Sequence, residues 1–365
     1  MRYSIYPQKD TTLYEASASM NAGIDAIAEV SKATTYDGNY NTRVLMQFDL
    51  TEISDMIASS SIANPRFKLR LWADEAKEIP VEYELEAHAV IETWAGGTGR
   101  SDNWPQTTVG AGWSYRHGAD AADPWIIPSG SPVYDVNETG SWSSVRGGGN
   151  WYIAPSASQA YNFETADVDM DVTDIVGQWL SGSWSNNGFI LKRTDAAEGD
   201  RYEYGSIKFY SSETNTVWLP RLEMAWDDSS FVTGSLTELT GDELVLYTKN
   251  LQASYREGTK AKVRVFGREK YPTRTYTTAS NYRTVKYLPA TTYYEVRDAY
   301  TEEVIVPFDD DYTKVSCDEQ GNYLNLWINS FQPERFYKLA FKVVRESGSR
   351  VEYFDNDNFI FKVIR

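Results

Sequence analysis

The sequence predicts an all-β protein built as two successive sandwiches, a larger one over 1–228 and a smaller one over 229–365. Three observations lead there. Apolar and polar residues alternate along many short segments, which is the period of a strand with one buried face. Aromatic residues make up 14% of the chain, with 26 Tyr and 12 Trp, and these types suit a pleated, half-buried surface. Gly (24) and Pro (13) are scattered along the whole length, so turns separate the strands at short intervals. A chain of 365 residues is long for one sandwich and comfortable for two.

The elements follow in order. Residues 42–50 read as a strand running from Thr42 through Phe48 to Leu50. In 66–72, Phe67, Leu69 and Leu71 face one way and Arg66, Lys68 and Arg70 the other. Residues 83–90 make a partner strand. Helical signals are few. Residues 51–59 form a turn or two. Residues 171–180 carry an apolar stripe of Ile175, Val176, Trp179 and Leu180, with Thr173 as a candidate cap and Gly182 as a stop. Strand patterns return at 188–192, 207–211 and 220–226. Beyond 229 they recur at 243–247, 260–266, 292–296, 323–328, 337–343 and 359–363. About seven strands there fit a small sandwich.

Charge and tryptophan place the boundary. The net charge is −17. Residues 1–228 hold 16 Lys+Arg against 33 Asp+Glu, whereas 229–365 hold 19 of each. Only Trp327 lies beyond the turn-like Asp227-Asp228-Ser229-Ser230. An acidic body repels phosphate, so nucleic acid is not an expected partner. Within the second region, 249–297 hold 11 basic and 3 acidic residues. There Lys260, Lys262, Arg264, Arg268 and Lys270 form a candidate docking strip for an acidic partner, a second copy included. The alternative is a solvated strand face.

The single cysteine, Cys317, allows no internal disulfide. Residues 1–10 lack the apolar run of a signal peptide, and no stretch approaches the ~20 apolar residues of a membrane span. Synthesis in a cytoplasm, without membrane insertion, is expected.

Residues 94–165 stand apart. Trp94, Trp104, Trp113, Trp125, Trp142 and Trp151 recur there among Gly, Ser, Asn, Asp and Pro. A loop of this length is either functional or pinned by packing. Indole faces stack on sugars and on protein partners alike, which makes Trp104, Trp113, Trp125 and Trp142 candidate contacts. The alternative is a satellite core of the loop's own.

Catalytic chemistry has little to build on. His88, His117 and Cys317 are far apart in sequence, whereas zinc sites and triads need convergent imidazoles or thiolates. No glycine-rich phosphate loop precedes a helix. Asp167, Asp169 and Asp171 share one face of a strand and are a candidate calcium set. They equally fit a solvated face opposite buried Val168, Met170 and Val172. Asp309-Asp310-Asp311, after Pro307, reads as an exposed turn, with calcium binding as the lesser alternative. Arg43 is either a ligand clamp or a structural anchor. Apart from calcium no cofactor is expected, and no enzymatic activity.

Three motifs in the first region carry a resemblance. Asp10-Thr11-Thr12-Leu13-Tyr14 leads to an arginine-bearing strand ending in Phe48-Asp49-Leu50. A short helix at 171–182 is followed by Asn186-Asn187-Gly188-Phe189. Phe209-Tyr210-Ser211-Ser212-Glu213 then precedes Pro220-Arg221-Leu222-Glu223. This order resembles the DNRLRE-type domain, a carbohydrate-binding-module-like jelly roll of surface and phage virion proteins. The long tryptophan-rich insertion departs from a minimal domain. The second region loosely resembles the small immunoglobulin-like sandwiches of tailed-phage structural proteins. The resemblance implies a structural virion component of the tail, baseplate, neck or head decoration, bound to other virion proteins and to copies of itself. A glycan-binding module or adhesin is the second expectation.

Overall fold

The computed structural model describes residues 1–36, 38–59, 62, 64–118, 123–125, 133–134, 147–272, 284–345 and 348–365. The fold is all-β, with sandwich packing. The chain divides into two compact units. One comprises 5–61 and 66–223; the other comprises 1–4, 62–65 and 224–365. The break thus falls at 223–224 rather than at 228. The smaller unit also recruits two short segments from the amino-terminal half, which local sequence pattern did not foresee. Arg2 is held there by Asp309 at 2.6 Å, and Tyr3 packs edge-on against Trp327 at 6.2 Å.

After β1 (Arg2–Ile5), the larger unit runs through β2 (Pro7–Tyr14), β3 (Ile27–Thr35), β4 (Gly38–Phe48), β5 (Arg66–Leu71), β6 (Ala73–Lys77) and β7 (Glu82–Val90). It continues with β8 (Val133–Tyr134), β9 (Trp151–Asn162), β10 (Val168–Asp171), β11 (Phe189–Arg193), β12 (Gly205–Tyr210) and β13 (Arg221–Ala225). The large sheet has the order β6-β12-β3-β4-β11-β7-β9-β8, with β2 also paired to β4. A smaller sheet places β10, β5 and β13 side by side. The expected alternation in β5 holds: Phe67, Leu69 and Leu71 are buried, and Leu71 and Leu69 pair with Val168 and Met170 of β10. From the large sheet, Val44, Met46, Phe48, Phe189 and Leu191 supply the facing core. Trp179 of the helix Thr173–Leu180 closes on Phe189 at 4.7 Å.

Two local details differ from expectation. Thr173 does not cap its helix. It is the first helical residue, and its hydroxyl accepts the N–H of Phe67 at 2.9 Å, tying helix to sheet. A short helix, Asp195–Gly199, follows β11 and is capped by Thr194, whose hydroxyl accepts from Ala197 N at 3.2 Å.

The smaller unit carries β14 (Thr237–Glu238), β15 (Leu244–Lys249), β16 (Ser254–Arg256), β17 (Lys260–Glu269), β18 (Lys286–Tyr287) and β19 (Thr292–Asp298). Then come β20 (Val304–Val306), β21 (Ser316–Asp318), β22 (Gly321–Trp327), β23 (Phe336–Arg345) and β24 (Arg350–Ile364). Two sheets dominate, β15-β17-β22-β21 and β16-β24-β23-β19-β20. The first buries Val263, Val265, Leu324 and Leu326; the second buries Val296, Leu339, Phe341 and Phe361. At fully buried positions each such side chain stabilises by about 1.5–3 kcal/mol.

Candidate functional site

Strand parity decides what the tryptophan-rich insertion does. The large sheet's core face uses Val44, Met46 and Phe189. Its opposite face carries Leu13, Arg43, Leu45, Ile190 and Lys192, by the registers Leu13–Arg43 and Ile190–Leu45. An exposed face would alternate polar residues here. Instead Leu13, Leu45, Val90 and Ile190 form a second core with Trp94, Ala111, Trp113 and Trp151 from the insertion and its flanks. Among the described residues of the insertion, these indole rings form a lid over that face.

Buried charge fixes the lid in place. The Arg43 guanidinium lies 4.6 Å over Trp113 and 5.0 Å from the Trp151 ring centre. Its Nη1 donates to the Gly148 carbonyl at 2.6 Å, and its Nε and Nη2 donate to Glu198 at 3.1 and 2.8 Å. Lys192, fully buried, reaches Asp195 at 2.8 Å and Glu198 and Glu86 at 3.6 Å. Desolvated charges survive only when paired like this. Gly148 has φ +83°, and a Cβ there would lie 2.4 Å from Arg43 Nη1 and 2.8 Å from the Trp113 ring. Only glycine permits that approach. Arg43 is a structural anchor of the insertion.

The four candidate tryptophans separate accordingly. Trp113 is fully buried, so it is core and not a contact, because it stacks on Arg43 as part of the lid. Trp125 is half-buried against the same cluster, its indole N–H donating to Gly112 O at 3.0 Å. Trp142 lies outside the described residues. Trp104 is 91% exposed.

Trp104 sits on a loop that one residue organises. Asn21, buried, receives the N–H of Gly99 at 2.8 Å and of Gly23 at 3.2 Å on its Oδ1. Its Nδ2 donates to Gly96 O at 2.7 Å and Ala111 O at 2.8 Å, and its backbone N–H donates to Thr107 O at 2.8 Å. Asp25 accepts from Ser101 N at 3.0 Å. The loop is thus ordered around its exposed indole, so little entropy remains to be lost on contact. Nothing in local sequence marks Asn21; only a constellation of glycines at 96, 97, 99 and 110 hints that the backbone must approach something closely.

The basic strip of the smaller unit lies along β17, as alternation predicts. Lys260 Nζ sits 4.1 Å over Trp327, Lys262 3.6 Å over Tyr323, and Arg264 5.3 Å from the same ring. From β15, Lys249 sits 4.7 Å over Phe266. Asp318 takes Lys262 at 3.1 Å and Arg264 at 2.5 Å, and the Arg264 contact holds its carboxyl well below the usual range. Lys270 pairs with Glu243 at 2.7 Å. Among the described residues no carboxylate lies within 4 Å of the charged groups of Lys249, Lys260 or Arg268.

The other candidates are spoken for. Asp169 and Asp171 point outward to Lys68 at 3.1 Å and Arg66 at 3.4 Å, and Asp167 accepts the Ala73 N–H at 2.8 Å. The carboxylates of the candidate calcium set are thus engaged one by one, two in ion pairs and one by a backbone N–H, opposite buried Val168, Met170 and Val172. Among the described residues no group of three or more His, Cys, Asp or Glu is arranged to hold a metal. His88 lies 3.1 Å from Tyr152 O and 3.5 Å from Glu86, and His117 lies 3.5 Å from Asp123. Cys317 is buried, and burial pushes its thiol up. Asp10 of the opening motif is buried, receives Ser212 N–H at 2.7 Å, and is pushed up to about 6 by desolvation.

No family model matches the chain, and no curated protein matches it. Among solved structures it is similar to a DUF4785 family protein from Legionella pneumophila, at 10% identity over 99% of this chain and 66% of that one, with a TM-score of 0.19. A likeness of that size carries no argument about role.

Proposed function

We propose that this chain is a non-enzymatic structural component of a tailed-phage particle that acts through protein–protein contacts. The observation that carries the contact reading is the lid. The second face of the large sheet, where a ligand groove would have to open, is filled by the chain's own tryptophans and braced by the Arg43–Glu198 pair. Among the described residues, Trp104 on its loop and the cationic face of the smaller unit stand exposed for contact. Exposed aromatics and arginines on rigid supports are the usual anchors of protein interfaces. The phage setting rests on the DNRLRE-type resemblance of the opening, helical and closing motifs. Mass spectrometry of purified particles, followed by density at a repeating position, tests it; a protein absent from the particles ends the proposal.

One observation favours a second reading. A free indole face at Trp104 suits stacking on a sugar ring. On a glycan array, an adhesin binds at least one glycan and loses it in Trp104→Ala. Silence across the array counts against that reading and leaves the first untouched.

A further inference from the structure

We infer that the cationic face of the sheet β15-β17-β22-β21 docks the acidic larger unit of a second copy of this chain. This rests on the reading of the protein as an assembly component and names the partner. Among the described residues the face presents Lys249, Lys260 and Arg268 with no carboxylate within 4 Å, beside Lys262 and Arg264 on Asp318 and Lys270 on Glu243. The larger unit, 5–61 with 66–223, holds 15 Lys+Arg and 31 Asp+Glu, a net of −16, while the remainder of the chain nets −1. Nearly all of the excess negative charge therefore sits on one unit, and the uncompensated cations face outward from the other.

Nucleic acid fits the same face less well. Sheet surfaces that bind single strands leave aromatic faces open for stacking bases. Here the rings of Trp327, Tyr323 and Phe266 are each covered by a cation of the sheet itself, at 3.6–4.7 Å. The ring supports have a different use: they hold the cations extended and limit the rotamer entropy lost when a partner arrives.

The two surfaces differ, so the contact is heterologous. Each copy keeps one donor and one acceptor surface after binding, and copies add head to tail, closing into a ring where the rotation permits. Attraction between exposed charges of this kind weakens as the Debye length falls from roughly 20 Å at about 20 mM salt to roughly 4 Å at about 500 mM.

Sedimentation velocity of the full chain up to roughly 0.1 mM tests this at both salts. The wild type should associate at low salt and weaken by about tenfold or more at high salt. The charge-reversed variant Lys249→Glu/Lys260→Glu/Arg268→Glu should stay monomeric alone. Labelled, it should still bind wild type, because its acidic unit is intact and accepts the wild-type cationic face. The neutral variant Lys249→Gln/Lys260→Gln/Arg268→Gln should fall between the two and guards against misfolding of the first. A wild type that is monomeric at both salts overturns the inference, as does a reversed variant that associates undiminished. Capture of heparin or a single-stranded oligonucleotide by the wild type, lost in the variant and without self-association, also overturns it by giving the face to a polyanion. Failure here leaves particle composition unaffected, so it is distinguishable from failure of the structural-component reading.

Discussion

Trp104 and Trp113 stand nine residues apart on one insertion and meet opposite fates. Both lie among small polar residues and glycines. Trp113 lands over the second face of the large sheet, where Leu45 and Ile190 offer apolar area and Arg43 offers a cation for its ring. Trp104 lies on the loop that Asn21 stitches down, and no apolar surface waits for it. The difference teaches that an aromatic-rich segment is not by itself a binding site. The number of free faces the scaffold supplies decides how many rings are left over for a partner.

The comparison breaks most visibly at the closed end. Trp113→Ala should cost about 3–5 kcal/mol by cavity formation. Glu198→Ala should cost a similar 3–5 kcal/mol, since it strands the buried charge of Arg43 and takes one of three carboxylates from Lys192. Replacing the pair together, Arg43→Met with Glu198→Leu, should recover part of that loss. Urea denaturation with both singles and the double measures it. If Glu198→Ala costs under about 1 kcal/mol, the lid is not held by this pair.

A second test contrasts paired with unpaired buried charge. Asp10 has no cation within 4 Å among the described residues, and desolvation raises its carboxyl to about 6. Folded protein therefore keeps a proton that the unfolded chain releases near pH 4. Its contribution to stability is fully present below about pH 4 and is lost as the pH rises through 6. Asp10→Asn should consequently gain stability relative to wild type between pH 4 and 7, by up to roughly 3 kcal/mol. Unfolding curves across that range decide it; a constant difference between the two proteins refutes the raised value.

Smaller effects probe the open end. Asn21→Ala should cost about 1–3 kcal/mol through unmade buried hydrogen bonds, and hydrogen exchange should quicken over 97–110 and not over β4. Trp104→Ala should leave the melting curve within about 0.5 kcal/mol of wild type while weakening capture of its partner by about tenfold or more. Loss of stability without loss of capture would reverse the roles assigned to the two tryptophans.

Much of the fold was legible because period-two patterns are local. Phe67, Leu69 and Leu71 announce their buried face within six residues, and Lys260, Lys262 and Arg264 announce an exposed one. Partners were not legible, since they come from register. Tyr323 and Trp327 meet the lysines of β17 only through pairing with a strand some sixty residues away. Lys192 and Arg193, at the end of the 188–192 strand pattern, are both buried, and nothing in the local pattern names what compensates them. Lys192 is compensated by Glu86 and Glu198 from separate elements, and Arg193 lies 5.8 and 5.3 Å from the rings of Tyr83 and Tyr204. Among the insertion's tryptophans, composition gave the class of residue and tertiary packing chose which one stays in water.

The smaller unit's use of residues 1–4 sets an order of events during synthesis. Arg2 and Tyr3 are among the first residues of this sequence to leave the ribosome, while Asp309 and Trp327 follow more than 300 residues later. At about 5–20 residues per second, the 224–365 stretch alone takes roughly 10–30 s to make. The larger unit can therefore fold while the side chains of Arg2 and Tyr3 still wait for Asp309 and Trp327. A ribosome-stalled chain ending near 240 should already protect the large sheet from protease and leave Arg2 accessible. The smaller unit follows the larger, so the face proposed to join one copy to the next, which includes β22, forms only after the larger unit has been made.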